Sequence, residues 1–173
     1  VDTPRGMEAL DLKLEVVVVV HQDAFLLDVI TPLAPQVRIL QLDLDDPRKL
    51  GLKARDWLID HPYPADLNLY LEDDLVIQDH LFVDKILWMA QASNHQCVLL
   101  PHRYELTRRL ELPPRLLIDG AIDQDEIAAW HHPSAEVATG EFRGQHGLKF
   151  DCPSNPHAGC FGISRSQLRI LRE

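Results

Sequence analysis

Three consecutive acids, Glu72, Asp73 and Asp74, directly follow an apolar, strand-like segment, and apolar residues resume at Leu75. We call these three acids the acidic motif. A buried carboxylate without a partner is costly, so acids that close a buried strand are usually paired, protonated or bound to a metal. Because side chains alternate along a strand, an extended backbone places Glu72 and Asp74 on one face and Asp73 on the other. Two oxygen ligands on one face predict a site for a hard divalent cation that keeps positions open for phosphate oxygens.

The alternative for the acidic motif is a solvated turn. Asp favours turns because its short side chain hydrogen-bonds nearby backbone groups. However, the apolar residues 75–77, Leu-Val-Ile, predict that the strand resumes, and a simple exposed turn does not explain that pattern. The sequence therefore favours the metal site.

Composition and charge exclude several classes of function. The chain has 173 residues, of which 46% are hydrophobic and 25% charged, and this suits one globular domain with a real core. Its formal net charge of -10 argues against sequence-independent binding to nucleic acid or anionic membranes. The three cysteines lack zinc-ribbon spacing and indicate free thiols in a reducing compartment. The longest apolar run, residues 16–20, is far shorter than the ~20 residues of a membrane span, so we expect a cytoplasmic protein without a transmembrane segment.

Strand-like and helix-like patterns alternate over the first hundred residues. Apolar runs predict strands, the first of them buried on both faces, at 14–20, 37–42, 67–71 and 96–100. Apolar residues at helical spacing predict helices, the first of them capped by Asp23, at about 24–33, 48–60 and 81–92. Such alternation predicts an α/β class: one domain over 1–173 with a mostly parallel central sheet and flanking helices, Rossmann-like in arrangement.

The remaining part, residues 101–173, is predicted to be loop-rich. A hairpin is expected around Pro113-Pro114, and the polar, glycine-containing residues 119–149 predict a long loop. A final helix is expected over 164–171, with Ser164 as its cap. Ligands of open α/β sheets bind beyond the carboxyl ends of the strands, which is where the acidic motif is expected to lie.

Three stretches of the chain resemble the nucleotide-diphospho-sugar glycosyltransferases of the GT-A fold. Residues 70–74, Tyr-Leu-Glu-Asp-Asp, include the acidic motif and resemble the acidic sequence that members of that family carry at the end of a strand. Residues 48–56, Arg-Lys-Leu-Gly-Leu-Lys-Ala-Arg-Asp, are similar to the segment before the acidic strand, with Asp56 where Asn is usual. Residues 156–165, Pro-His-Ala-Gly-Cys-Phe-Gly-Ile-Ser-Arg, are similar to the small-residue stretch that lines the donor-sugar and acceptor pocket, with Cys160 where a second Gly is common.

The resemblance implies a metal, a ligand and the residues that hold them. It implies that Asp74, helped by Glu72 or Asp73, binds Mn²⁺ or Mg²⁺, and that this cation binds the diphosphate of a nucleotide-diphosphate sugar donor. A later histidine joins the metal in some related enzymes, which makes His157 a candidate ligand; the alternative is a histidine satisfied within its own loop. The acceptor, whether sugar, lipid or protein, stays open, and so does the choice between retention and inversion.

Other residues are candidates for contacts with the donor. Arg55 and Lys53 could meet its phosphates, but ion pairs with acids on the surface of the same helix explain them better. Arg103 follows the predicted strand 96–100 and could offset diphosphate charge, together with neighbouring residues of an acceptor pocket; a loop of mixed polarity explains it almost as well. Gly159 and Gly162 could let the backbone approach a sugar closely, or could serve a tight turn.

The chain also departs from the family. If residues 14–21 match the family's second strand, the first strand is absent, and His21 stands where an acid often contacts the nucleotide base. The family usually carries its catalytic base on a helix that would lie beyond Glu173. We therefore expect a fragment or a degenerate member whose catalytic base is unknown; Asp123 and Asp125 lie in a predicted loop and are poor candidates.

These patterns leave three hypotheses of function. The first is a metal-dependent, glycosyltransferase-like enzyme. The second is a non-catalytic glycosyltransferase-like domain that binds a sugar, a nucleotide or a partner but lacks the terminal elements needed for transfer. The third is a metal-dependent phosphohydrolase, and the lack of an Asp-x-Asp pair at the first strand counts against it.

Overall fold

The strands of this protein pair two by two rather than forming one large sheet. The computed structural model describes residues 12–22, 27–33, 36–60, 65–105, 115–117, 120, 122–129 and 131–173. Within these ranges one strand pair is parallel and three are antiparallel. The predicted α/β class with a mostly parallel central sheet and flanking helices is therefore wrong. The chain divides into two compact units, Val1–His61 and Pro62–Glu173, and each is described by itself; the predicted single domain stays a prediction.

The elements are short. In chain order they are β1 (Val16–His21), α1 (Leu27–Ile30) continued by a 3₁₀ turn (Thr31–Leu33), β2 (Val37–Leu42), a 3₁₀ turn (Pro47–Lys49), α2 (Leu50–Asp60), β3 (Leu67–Leu71), α3 (Phe82–Ala92), β4 (Arg103–Glu105), β5 (Arg115–Leu117), α4 (Gln124–Ile127), β6 (Ser134–Phe142), β7 (Gln145–Cys152), β8 (Cys160–Ser164) and α5 (Arg165–Arg172). Among the helices described, none is long and apolar enough to cross a membrane.

The first unit is built on the parallel pair of β1 and β2. Its register runs from Val16 opposite Val37 to His21 opposite Leu42. Val20 is buried, but Val16 is 44% exposed, so the prediction that this strand is buried on both faces is wrong. The reason is that β1 has one strand neighbour among the described residues, and a two-stranded sheet cannot enclose a strand as a large parallel sheet does.

The helices of the first unit lie close to their predicted positions. Asp46 caps the 3₁₀ turn before α2, because its side chain accepts a hydrogen bond from the Arg48 backbone N–H at 3.2 Å. The Arg38 guanidinium of β2 lies 5.3 Å from the ring centre of Trp57 in α2, a cation–π distance. Asp23, the predicted cap of the first helix, lies outside the described residues.

The second unit is organised around α3. The predicted helix is confirmed, and Ile86, Met89 and Ala90 are its buried residues. One side of α3 packs against β8, which pairs antiparallel with β3. A Cβ atom added to Gly162 would lie 3.0 Å from two atoms of Ile86. The glycine therefore serves the close approach of helix and strand, which is neither of the two roles expected from the sequence.

A hairpin of β6 and β7 also packs on α3. Its two-residue loop, Arg143-Gly144, has φ angles of 47° and 80°, as a type I′ turn requires at both central positions. Trp88 of α3 lies with its ring centre 5.5 Å from that of Phe142 and 5.7 Å from that of Phe150. These aromatic contacts join the hairpin to the helix.

This hairpin and α4 occupy residues that were predicted to form a long loop, so the prediction for 119–149 is wrong. Glycines in that stretch suggested irregular structure, but Gly144 supplies the positive φ that a tight hairpin needs. The expected hairpin near Pro113-Pro114 agrees with the antiparallel pairing of β4 and β5, although the two prolines lie outside the described residues.

The predicted strand at 96–100 is wrong as well, because these residues have no regular secondary structure. Side chains form hydrogen bonds with backbone groups that would pair with a neighbouring strand in a sheet. The Cys97 N–H donates to Ser93 Oγ at 3.1 Å, and the Cys97 carbonyl accepts from Gln167 Nε2 at 2.7 Å. Such local partners satisfy the backbone without a neighbouring strand.

The start of α5 confirms the predicted cap at Ser164. Ser164 Oγ accepts a hydrogen bond from the Gln167 backbone N–H at 3.2 Å, and Gln167 Oε1 accepts one from the Ser164 N–H at 3.0 Å. This reciprocal arrangement is a capping box, and it satisfies two backbone donors at the helix start. Ser164 Oγ also lies 3.2 Å from His95 Nδ1, so the cap connects α5 to the residues that follow α3.

We predict that Ser164→Ala lowers the free energy of unfolding by about 1 to 2 kcal/mol, the usual cost of losing a cap. Urea unfolding monitored by circular dichroism measures the change. Ser166→Ala is the matched control, since Ser166 lies in the same helical turn and does not cap the helix. An equal loss of stability in both variants would contradict the role given to Ser164.

Candidate functional site

The acidic motif forms a turn at the end of β3. The Glu72 N–H donates to the Gly159 carbonyl at 2.8 Å, and the Glu72 carbonyl accepts from the Leu75 N–H at 3.3 Å. Glu72 is half-buried, whereas Asp73 and Asp74 are exposed. The chain thus reverses direction over the two aspartates.

Two predictions about the acidic motif are corrected by this geometry. The strand does not resume at Leu75, and Val76 is 81% exposed. The alternation that placed Glu72 and Asp74 on one face applies to extended backbone, and the extended segment ends at Leu71. The physical reason is that the pairing with β8 ends at the Gly159 carbonyl, so among the described residues no partner holds the following segment as a strand.

Gly159 provides the space in which the Glu72 carboxylate lies. A Cβ atom added to Gly159 would be 2.5 Å from Glu72 Oε2 and 2.9 Å from Leu75 Cδ1. Real Cβ atoms do not approach other atoms that closely, so a larger residue at 159 would displace the carboxylate. The absence of a side chain at 159 therefore allows the position of Glu72.

Two of the three stretches that carry the family resemblance meet at this point. Leu71 of β3 lies opposite Cys160 of β8, and the rings of Tyr70 and Phe161 stack with centres 5.2 Å apart. The acidic motif and the small-residue stretch, far apart in sequence, are thus neighbours in space.

His157 is not gathered with the acids into a metal shell. Its side chain is exposed, and its backbone N–H donates to Asn155 Oδ1 at 2.9 Å, while Asn155 Nδ2 donates to the Gly120 carbonyl at 2.8 Å. In the described parts of the chain, no three His, Cys, Asp or Glu side chains are grouped in a way that could hold a metal ion. A role for His157 as ligand stays a prediction.

The acids nevertheless fit one kind of cation site. Mg²⁺ commonly binds through one or two carboxylates together with substrate phosphates and water, rather than in a cage made only of protein ligands. Asp73 and Asp74 are adjacent, exposed carboxylates at a turn, and they offer that number of ligands. The donor set therefore suits a cation that arrives with a phosphate ligand.

Arg55 and Lys53 form the surface ion pairs that the sequence favoured. Both lie in the first unit, where Arg55 Nη2 is 2.9 Å and Lys53 Nζ 3.6 Å from a carboxylate oxygen of Asp56. The hydrogen bond from Arg55 is the main cause of a lowered pKa of the Asp56 carboxyl. Both cations are engaged on the helix surface, and their roles as phosphate ligands stay predictions.

His21 lies at the end of β1, where its ring Nδ1 accepts a hydrogen bond from the Leu44 N–H at 3.3 Å. This contact holds the residues after β2 against the end of β1. It gives His21 a structural role within the first unit, and contact with a nucleotide base stays a prediction.

An open groove lies beside the acidic motif in the second unit. Asp74 and Arg103 both line it, and its other charged lining residues include Asp79, Lys85, Lys149 and Asp151. Asp79 and Lys85 form an ion pair at 2.5 Å, and the hydrogen bond from Lys85 is the main cause of a lowered pKa of Asp79. Arg103 therefore shares a groove with Asp74, and its role in offsetting phosphate charge stays a prediction.

Sequence reasoning missed the part of this groove that comes from the hairpin. The groove is lined there by Lys149, Asp151 and Cys152 of β7 and by nearby His131, whereas the sequence predicts a loop over most of this region. The available signal was the Gly144 position, which lies between two runs of alternating pattern, residues 134–142 and 145–152.

No protein-family model matches this chain, and comparison with curated proteins and with solved structures finds no significant match. The resemblance to glycosyltransferases thus depends on the short sequence motifs.

We predict that Gly159→Ala displaces the Glu72 carboxylate and lowers the free energy of unfolding by about 1 kcal/mol, because overpacking a tight contact costs this much or more. Urea unfolding of Gly159→Ala, Glu72→Ala and the double variant measures the coupling between the two positions. Removing the carboxylate relieves the closest of these contacts and leaves the one with Leu75 Cδ1, so Gly159→Ala should cost less in the Glu72→Ala background.

Gly120→Ala is the matched control, since a Cβ atom there meets no atom within 4 Å. Strict additivity of the Gly159 and Glu72 effects would show that the close approach has no energetic consequence.

Proposed function

We propose that the second unit binds a nucleotide-diphosphate sugar together with Mn²⁺ or Mg²⁺, in the manner of the glycosyltransferases that its motifs resemble. One observation carries the proposal: the acidic motif and the small-residue stretch, two of the three stretches that carry the resemblance, are neighbours in space at the end of β3. The proposal concerns the ligand and does not rest on a mostly parallel sheet.

The three residues of the acidic motif have two different roles. Glu72 is held against Gly159 and fixes the turn, while Asp74, with Asp73 beside it, presents carboxylate oxygens at the surface. A divalent cation bound there would supply Lewis-acid stabilisation of charge on the departing diphosphate. Asp74 is the preferred ligand because it also lines the groove.

The groove offers the remaining contacts that such a donor needs. Arg103 could donate hydrogen bonds to phosphate oxygens from the N–H groups of its guanidinium, and neighbouring His102 and Tyr104 also line the groove. Tyr104 is 61% exposed, so its ring is available to a planar base or a sugar face. Aromatic faces and forked cations suit a ligand that combines a sugar, a diphosphate and a base.

A second candidate function is binding without transfer, and one observation favours it. Asp123, a candidate catalytic base, caps α4 by accepting a hydrogen bond from the Asp125 N–H at 3.0 Å. Inverting transfer needs a carboxylate that removes the proton of the acceptor hydroxyl. A capping role explains Asp123 without such chemistry, so a non-catalytic glycosyltransferase-like binding domain remains the alternative.

We predict that uridine or guanosine diphosphate binds the full chain only when Mn²⁺ is present, and that Asp74→Ala weakens this binding at least about tenfold. The loss of one charged ligand to a metal–phosphate complex typically costs this much. Isothermal titration calorimetry with and without Mn²⁺ measures it. Asp45→Ala is the charge-matched control, because Asp45 is an exposed acid of the first unit.

The absence of nucleotide binding to folded wild-type protein would overturn the proposal. Equal weakening by Asp45→Ala and Asp74→Ala would show a general charge effect instead of a site. Metal-dependent binding without transfer or hydrolysis of the matching nucleotide sugar would favour the non-catalytic alternative.

A further inference from the structure

A cysteine and a histidine are paired at the far end of the hairpin. Cys152 is the last residue of β7, and His131 follows α4, whose last turn is extended by a hydrogen bond from the His131 N–H to the Ile127 carbonyl at 2.9 Å. Cys152 Sγ lies 4.0 Å from His131 Nδ1. The other ring nitrogen, Nε2, lies 2.6 Å from the Pro153 carbonyl oxygen.

The carbonyl of Pro153 determines the tautomer of the imidazole. A carbonyl oxygen only accepts hydrogen bonds, so Nε2 must carry the proton of this short contact. In the neutral ring Nδ1 is then the acceptor, and it faces the thiol of Cys152. A nucleophile, a base beside it and a third group that orients the base form the arrangement that activates cysteine in many proteins.

Within the part of the chain that the structure describes, the other two cysteines lack this arrangement. Cys160 is buried, and burial raises the pKa of its thiol to about 11, which keeps it protonated and unreactive. Cys97 is half-buried, and the contacts found for it are those of its backbone with Ser93 and Gln167. Among the contacts of the described residues, only Cys152 of the three thiols lies beside an imidazole nitrogen.

The pair is also open to small molecules. Cys152 and His131 both line the groove of the second unit, and Cys152 is half-buried rather than enclosed. The titratable groups of Asp74, Asp79, Lys85, His102, Arg103, Tyr104, Glu105, Lys149 and Asp151 line the same groove. A small polar molecule can therefore reach the thiol through a surface of mixed charge.

We propose that Cys152 is a thiol-modification site that exchanges with low-molecular-weight disulfides, with His131 Nδ1 as the base. The proton of Sγ moves to Nδ1, and the thiolate attacks one sulfur of the disulfide. A new S–S bond forms as the old one breaks, and the departing thiolate takes the proton from Nδ1. One small disulfide is consumed and one small thiol is released, so atoms and electrons balance.

The test uses the full chain with oxidised glutathione as the probe. Reactions are quenched by acid, and peptide mass spectrometry gives a rate constant for each cysteine. At about pH 7 we expect Cys152 to react at least about tenfold faster than Cys97, since a positioned base contributes ~10²-fold or more. We expect His131→Gln to remove this advantage.

The pH profile separates a base from a purely structural histidine. Near pH 10 an ordinary thiol, with its pKa of about 8.5, is already ionised, so the wild type and His131→Gln should react at similar rates there. The other charged residues of the groove are the same in the wild type and in His131→Gln. Cys97→Ser serves as the matched cysteine control. Equal slowing of His131→Gln at both pH values would overturn the role of base.

Circular dichroism shows whether His131→Gln folds. If it does not fold, the wild type alone tests whether Cys152 is the thiol that is modified selectively. Modification of Cys97 at the same rate as Cys152, or faster, would overturn the proposal. Selective modification of Cys152 that disappears when the chain is unfolded in urea would support it, because unfolding removes the imidazole from the thiol.

Discussion

The second unit depends on two close approaches, one at Gly162 of β8 and one at Gly159, the residue directly before this strand. Gly162 lies beneath Ile86 of α3, and Gly159 lies beneath the carboxylate of Glu72. At either position an added methyl group would come within 3.0 Å of existing atoms. The same short strand therefore positions both the central helix and the acidic turn, so the packing of the unit and the geometry of its candidate site cannot be changed independently.

Features that depend on nearby residues were predicted well from the sequence. The cap at Ser164 was predicted from its residue type and its place before the helix, and the inward face of α3 follows directly from the spacing of Ile86 and Met89. In each case the residues that determine the structure are part of the element itself. Local hydrogen bonds and helical periodicity are sufficient to predict these features without knowledge of distant contacts.

Strand pairing could not be predicted in this way, because it depends on residues far apart in sequence. The apolar run at 96–100 has the composition of a strand, yet Ser93 and Gln167 take up the backbone groups of Cys97. Arg143 adopts a positive φ in the β6–β7 turn, which Asn or Gly usually supplies. The polar residues and glycines of 119–149 therefore predict a loop, since Arg143-Gly144 lacks the Asn or Asp that marks a hairpin turn.

The geometry of the acidic motif could not be predicted from the sequence for the same reason. Its residue types indicated a cation, but whether the backbone continues as a strand or turns depends on where the pairing with β8 stops. The last hydrogen bond there joins the Glu72 N–H to the carbonyl of Gly159, directly before β8. Tyr70 and Phe161, which stack across the two strands, gave no local sign of being neighbours. Residue types thus suggested the chemistry, and the pairing determined the geometry.

That geometry has a consequence for how a metal and a diphosphate would bind. Two exposed aspartates supply too few oxygens to hold Mg²⁺ or Mn²⁺ tightly by themselves, because these cations take about six ligands and give up water reluctantly. A diphosphate near an acidic surface of net negative charge would in turn be repelled without a cation. Each would therefore increase the affinity for the other by the same factor, since coupling between two ligands is reciprocal. An open turn of acids beside a groove favours joint binding of metal and diphosphate, whereas a closed three-ligand site would hold its metal alone.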